Sequence, residues 1–434
     1  MAHVRLRSSV LQGREQTRTS RLWQRTSAKL LIAPAILLLA AAILSGLHSP
    51  NQFAPGVVAG SGLDMSGLHV VGGTLQNAAG QVVQLRGVNR SSWEYACIDP
   101  TWGVSHDGTA DQSEVNAMMA WNINAVRVVL NEDCWLGING VTVGGAAYQT
   151  AVSNYVTLLT QNNIVPIINL HFSAPGAILA GTYTSDGKLR QQFPMPDRDH
   201  SPAFWTSVAT AFKDNSMVLF EPYNEPFPDN NNGGNTSAAW TCWRDGGDCP
   251  SVDGFPDYTT AGMQELVNAI RETGATNVII LTGTNWGSQV DQLLQYLPAD
   301  PLVPAQLAAG WHSYGDGLSC QNSTCWNTTL ASVIQKLPLV ATEIGEFDCD
   351  HSYIDRVMSF LDSKQQGYLA WAWGPYDCAQ EPALITNWAG SPTQMYGRGF
   401  HDHLLSLAGN DPVAAVVGHR PIRGEHPRWR QPAR

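Results

Sequence analysis

Charge is scarce in this sequence, 14% of the 434 residues, and what there is leans negative, with a formal net of -11. Basic residues gather at the ends: residues 1–29 carry seven Lys/Arg against Glu15, and residues 409–434 carry five Arg against Asp411 and Glu425. The body between them is therefore more acidic than the total. Such a body repels a polyanion, which argues against nucleic acid as a partner and suits a neutral substrate. No Gly-rich phosphate loop follows the first strand-like run, so a nucleotide-binding α/β fold is not expected. None of the eight Cys shows zinc-like spacing to a nearby His, and neither a metal nor a cofactor is expected. A membrane span wants about 20 apolar residues, and the continuous run Leu30–Leu44 falls short of that.

That run nevertheless has a basic N-terminal flank and small residues, Ser45-Gly46, behind it. These are the parts of a secretory signal. Counted on through Leu47, the run approaches the length of a span, so an uncleaved anchor with its N-terminal flank in the cytoplasm is the alternative. Either way the protein is expected to be exported, secreted or held at the membrane. Residues 1–46 thus form a basic segment with a signal or anchor, 47–66 a Gly/Ser/Pro linker, 67–408 the folded domain and 409–434 a tail without periodicity. A monomer is expected. The even Cys count, in loops behind a secretion signal, reads as disulfides. The expected pairs are Cys97–Cys134, Cys242–Cys249, Cys320–Cys325 and Cys349–Cys378, the second and third being short-loop pairs.

Two short β-type runs, His69–Val71 and Val82–Leu85, open the domain, and a hairpin here would plug the bottom of a barrel. From Val82 on, apolar strand-like runs alternate with amphipathic helix-like ones. Strands are expected over 83–89, 125–131, 164–171, 217–224, 277–284, 307–313, 339–344 and 367–374. Helices are expected over 111–121, 147–162, 202–214, 259–273, 289–296, 328–336, 353–364 and 400–407. Runs such as Ile164–Leu170 are apolar on both faces, as covered parallel strands are. Eight repeats predict a single (β/α)8 barrel of the α/β class with a short N-terminal β-hairpin. An open doubly wound sheet is the rival.

In such barrels the chemistry sits at the C-terminal ends of the strands. Those ends carry Asn89-Arg90, Arg127, His171, Asn224-Glu225, His312 with Tyr314, Glu343, and Trp371 with Trp373. The stretch V-L-F-E-P-Y-N-E-P-F resembles the acid/base motif of glycoside hydrolase family 5, which includes cellulases and mannanases. L-V-A-T-E-I-G resembles the nucleophile strand of the same family. The likeness covers roughly residues 67–408. It implies Glu225 as acid/base, Asn224 as its partner, Glu343 as nucleophile, and Arg127, His171, His312, Tyr314 and a strand-eight Trp as substrate-binding or supporting groups.

The chemistry of these residues agrees with that implication. One Glu must hold a proton for the glycosidic oxygen, and partial burial raises its pKa for the task. The other must stay ionised to attack the anomeric carbon; Arg127 would hold it charged and Tyr314 would orient it. Asn224 can bond the sugar 2-OH. Trp371 and Trp373 point the same way if the strand continues, so one of them would floor a sugar subsite, with Trp371 favoured by the family pattern. Glu346 is the rival to Glu343, because Gly345-Glu346-Phe347 also fits the motif. Asn89 and Arg90 stand between site and salt bridge. Trp93, Trp135 and Trp286 stand between cleft and core. His200, His351 and His401 read as surface residues. The expected activity is a retaining endo-β-1,4-glycosidase, an endoglucanase acting on a β-linked polysaccharide. The alternatives are a β-mannanase or related β-glycosidase, an inactive carbohydrate-binding protein, and a metal-dependent hydrolase on the same fold.

Overall fold

Eight short apolar runs become eight parallel strands closed into a barrel. They are seen in a computed structural model that describes residues 62–98, 107–141, 143–173, 175–177, 192–229, 235–378 and 381–408. The chain divides into two units, Met1–Gly56 and Val57–Arg434, and every described residue belongs to the second. The basic segment, the Leu30–Leu44 run, the first part of the linker and the 409–434 tail lie outside these residues.

A hairpin, β1 (His69–Val71) and β2 (Thr74–Gln76), precedes the barrel. The barrel strands are β3 (Arg86–Arg90), β4 (Ala125–Asn131), β5 (Val165–Phe172), β6 (Leu219–Glu221), β7 (Ile279–Thr282), β8 (Leu307–Ser313), β9 (Leu339–Ile344) and β10 (Gly367–Ala370). Each pairs with the next, and β10 closes on β3 through Tyr368 opposite Arg86. Side chains on a strand alternate between faces. One row faces the barrel interior. Low in the barrel it is apolar: Ala125, Ile167, Leu219, Ile280, Ala308, Val340 and Leu369 cluster with Leu68, Val70 and Leu75 of the hairpin region. The hairpin therefore plugs the bottom, and it is fastened by Leu68 N to Ser216 O at 3.1 Å and Val70 N to Gln306 Oε1 at 2.7 Å. The outward row packs into a second cluster with the helices.

Most expected helices form, among them α1 (Gln112–Ala120), whose N-cap Asp111 accepts from the Ser113 and Glu114 N–H groups. One does not. Residues 289–296 make successive tight turns instead, with Leu293 N bonded to Val290 O and Gln295 N to Gln292 O. Val290 and Leu293 are buried as a helix face would bury them, but Pro298 follows too closely for a helix to propagate. Additional helices appear at Glu132–Leu136 and Ser237–Asp245.

All eight cysteines are paired as expected: Cys97–Cys134, Cys242–Cys249, Cys320–Cys325 and Cys349–Cys378. The first and last tie together segments that follow neighbouring barrel strands, at the C-terminal mouth.

The expectation of a membrane anchor, as partner or as location, is corrected. Among the described residues no helix is long and apolar enough to cross a membrane. The longest, Ala146–Gln161, carries polar residues along its length and is shorter than the ~20 residues a span needs. The Leu30–Leu44 run on which the expectation rested lies outside the described residues.

Candidate active site

Moving up the interior row, apolar side chains give way to polar ones. Two residues above Ala125 comes Arg127, above Leu219 comes Glu221, above Ile280 comes Thr282, and above Val340 comes Thr342. Register sets Asn89 beside Arg127 and His312 beside Glu343. A shift in β9 between Ala341 and Ile344 brings Glu343 into the same layer. The result is a polar floor to a cleft of about 610 Å³, whose lining includes Glu225, Glu343, His171, His312, Tyr314, Asn224 and Trp371.

Arg127 is the hub of that floor and is fully buried. Its Nη1 donates to Glu343 Oε1 at 2.6 Å and to Asn89 Oδ1 at 3.0 Å, and its Nη2 donates to Asn224 Oδ1 at 2.6 Å. Its Nε donates to Glu221, which also accepts from Thr282 Oγ1 at 2.9 Å. The Tyr314 hydroxyl donates to Glu343 Oε2. His312 Nδ1 lies 3.0 Å from Glu225 Oε1 and 3.5 Å from Glu343 Oε2, while its Nε2 meets Thr342 Oγ1 at 3.1 Å. One oxygen of Glu225, one of Glu343 and a His312 nitrogen all lie within 4.8 Å of one another.

The two carboxyls differ in their surroundings. Burial pushes Glu225 up to about 8; Arg127 opposes this, and Asp316 and Glu221 add to it. Burial raises Glu343 as well, but His312, Arg127 and the Tyr314 hydroxyl pull it back. Glu343 has donors on both oxygens, whereas Glu225 meets His312 alone among the bonds just described. When one proton is shared between two such groups, it rests on the one with fewer donors, Glu225. Burial, with Arg127 and the other imidazole adding to it, lowers His171 well below the usual range. His312 is lowered chiefly by burial too, so both rings are neutral near pH 7. Gly287, at φ +73°, lets the backbone pass close to His312: a Cβ there would sit 2.8 Å from His312 Cγ.

Around this floor, Trp371 stacks on His171 with centroids 5.5 Å apart and an interplanar angle of 16°. Trp286 stacks on Phe227 at 5.0 Å. Phe347, 53% exposed, stacks on Tyr314 at the rim. Trp373 is not in the cleft, contrary to expectation. The strand ends at Ala370, so the alternation that would have aimed 371 and 373 alike does not extend to them, and Trp373 is wholly buried edge-on against Trp121 at 5.0 Å. Trp93 and Trp135 are core residues as well. Arg90 is a buried ion-pair residue, 2.6 Å from Glu114. Glu346 is buried with its Oε1 accepting from the Ile354 N–H at 2.7 Å, in the first turn of the helix Ser352–Ser363. That leaves Glu343 as the glutamate beside Glu225.

Sequence reading missed Glu221 and Gln192. Glu221 was visible in principle, because a carboxyl two residues above an inward Leu needs a buried cation, and Arg127 occupies the matching height on β4. Gln192, which donates to the Glu225 carbonyl and accepts from Asn224 Nδ2 at 2.6 Å, belongs to no strand and gives no periodic signal. A second group of possible metal ligands, Glu132, Asp197 and His200, also brings its atoms within 4.8 Å. Its members already bond to Ser201 and to the His200 N–H.

Comparison with known proteins agrees with this geometry. The family described as Cellulase (glycosyl hydrolase family 5) matches residues 76–377. The manganese dependent endoglucanase Eg5A of Phanerodontia chrysosporium is 24% identical over 73% of this chain and 79% of its own. Among solved structures, the β-mannanase from Thermomonospora fusca superposes with a TM-score of 0.55 at 20% identity, covering 81% of this chain and all of that one. The cellulase Cel5C_n does so with a TM-score of 0.52 at 18% identity, over 82% and 94%. Because the family match takes in every barrel strand and both glutamates, the chain belongs to glycosyl hydrolase family 5, as a retaining glycosidase of β-linked polysaccharides.

Proposed function

We propose that the enzyme is an endo-β-1,4-glucanase working by double displacement, with Glu225 as acid/base and Glu343 as nucleophile. The observation that carries the mechanism is the approach of the two carboxyls, one oxygen of each within 4.8 Å of the other. Retention works with carboxyls about 5–5.5 Å apart, whereas inversion needs roughly 6.5–9.5 Å to admit a water between them. In the first step Glu343 attacks the anomeric carbon, the glycosidic C–O bond breaks, and Glu225 gives its proton to the departing oxygen. In the second, Glu225 as carboxylate takes a proton from water, which displaces Glu343 from the anomeric carbon.

The remaining groups serve these steps. Arg127 and Tyr314 favour the ionised form of Glu343 against its burial and fix its direction, which supports attack. Asn224, anchored by Arg127 and Gln192, turns toward the sugar 2-OH, a contact that strengthens as positive charge develops. His312 bridges the pair and holds the Glu225 carboxyl in place. Trp371, its ring set by His171, offers a flat face to the sugar.

Endo action is supported by the lining of the cleft, which carries aromatic rings on segments that follow different strands: Phe227 after β6, Trp286 after β7, Phe347 after β9 and Trp371 after β10. The choice of glucan follows the sequence relative Eg5A, whose name makes it an endoglucanase; the structural neighbours divide between cellulase and mannanase. The test is release of reducing ends from soluble β-glucan, carboxymethylcellulose and mannan, with EDTA present. Faster release from glucan, with internal cleavage, is expected. Preference for mannan overturns the substrate assignment, dependence on added metal overturns the metal-free mechanism, and no release from any overturns the hydrolase.

A further inference from the structure

Beside Trp371, one wall of the cleft carries residues that have no part in the steps above. It is built by the loop after β3 and the loop after β10, which bring Glu94, Tyr95, Trp371 and Glu381 to the same cavity. Glu94 is only 2% exposed, and its Oε2 meets no hydrogen-bond partner. Its main chain is held by Asn131, whose Nδ2 donates to the Glu94 carbonyl at 3.0 Å. Burial pushes its carboxyl well above the usual range, with Glu381 and Asp107 adding repulsion against the bonds from the Ser92 and Glu94 N–H groups. Burial thus favours the uncharged acid, whose carboxyl can both donate and accept a hydrogen bond. A buried acid with an unmet oxygen beside a cleft is unfavourable for the empty fold and is offset once a hydroxyl supplies the missing bond.

Glu381 stands next to it and acts on Trp371. Its Oε1 accepts from the Trp371 indole N–H at 2.7 Å. With His171 stacked on one face and Glu381 fixing the edge, the plane of Trp371 is set from two directions. The wall thus combines a flat apolar face with a carboxyl that can donate and accept beside it. That is the chemistry that recognises a neutral sugar ring, whose faces are apolar and whose rim carries hydroxyls. Anionic sugars do not suit it, because Glu381 and Asp107, which already act on Glu94 by repulsion, oppose added negative charge.

We infer that Glu94 and Glu381 form a hydroxyl-recognising subsite for a second unit of the β-linked chain, adjoining the unit that lies on Trp371. Glu94 bonds the sugar; Glu381 is a positioning residue for Trp371. The inference rests on the reading of the cleft as a glycan site and deepens it.

The test uses the whole protein and neutral β-1,4-linked oligosaccharides of three to six units, following KM, kcat and which bond is cut. Glu94→Ala is expected to raise KM about ten-fold, the loss of one good hydrogen bond, and to shift the preferred bond, with much less change in kcat. Glu94→Gln keeps a donor and an acceptor at the same place and is expected to restore both KM and cleavage pattern. Unchanged KM and pattern in Glu94→Ala overturn the subsite, as does Glu94→Gln behaving like Glu94→Ala, since that marks packing or charge as what mattered. If the unaltered enzyme cuts none of these oligosaccharides, the functional reading fails first and the subsite falls with it; a cutting enzyme whose pattern ignores Glu94 removes the subsite alone.

Discussion

Replacing Arg127 by Leu tests the electrostatic logic of the floor in a single step. The guanidinium is completely buried and serves Glu221, Glu343, Asn89 and Asn224 at once. Removing one partner of a buried ion pair costs about 3–5 kcal/mol, because the other charge stays behind. For a chain of this size, with a shift of about 2 °C per kcal/mol, calorimetry should find Tm lowered by about 6–10 °C. The second readout is the pH profile of kcat. Arg127 lowers the Glu343 pKa, so its loss lets that pKa rise. The nucleophile must be ionised, and the acidic limb of the profile should move to higher pH by about one unit or more. Adding Glu221→Gln to Arg127→Leu removes one stranded carboxylate and should recover part of the stability but none of the shift. If the acidic limb stays where it was while Tm falls, Arg127 is only a structural cation. If Glu221→Gln recovers nothing, the ion pair is not what the cleft floor depends on.

Further outcomes follow from the carboxyls of Glu225, Glu343 and Glu346. Glu343→Ala should abolish turnover and be rescued by azide with an inverted glycosyl azide, while Glu225→Ala should spare substrates with good leaving groups and give a retained azide product. Glu346→Ala should keep activity and cost about 1 kcal/mol through the lost helix-end bond; the nucleophile pattern appearing in Glu346→Ala instead would refute the assignment. Glu225 must be protonated to act, so activity should fall as pH rises through about 8. Its folded pKa lies above its ordinary 4.5, so the folded state binds the extra proton between those values and stability declines as pH rises across that window. Glu225→Gln should therefore gain in Tm relative to the unaltered enzyme at pH 8 compared with pH 5.

The barrel was legible because its strands are uniformly apolar and end in polar residues, so that β4, β8 and β9 could be bounded within the sequence. Strands that stop early were overread: β6 ends at Glu221 and β10 at Ala370, and an expected strand running to 374 wrongly carried Trp373 to the cleft. Periodicity cannot reveal where a strand loses its neighbour, since that is decided by pairing across the sheet. The turns at 289–296 bury the same apolar positions a helix would, which is why the pattern reads as one. Glu225 and Glu343 stood out as charges at strand ends, but Glu94 and Gln192 lie on loops, where neighbours in space are set by the tertiary fold. The pairing of Cys349 with Cys378 was expected and is found, although its two loops meet only at the mouth of the folded barrel.

The hairpin of β1 and β2 gives the molecule two ends with separate duties. Its Leu68, Val70 and Leu75 seal the bottom layer of Leu219, Val340 and Leu369, on the side of the barrel away from Glu225 and Glu343. Mutational change can therefore be partitioned. Substitutions in the plug alter how long the enzyme survives heat, while substitutions in the upper loops alter which glycan it accepts. A lineage able to strengthen the plug acquires tolerance for destabilising novelty at the mouth, where buried acids such as Glu94 already strain the fold for the sake of recognition.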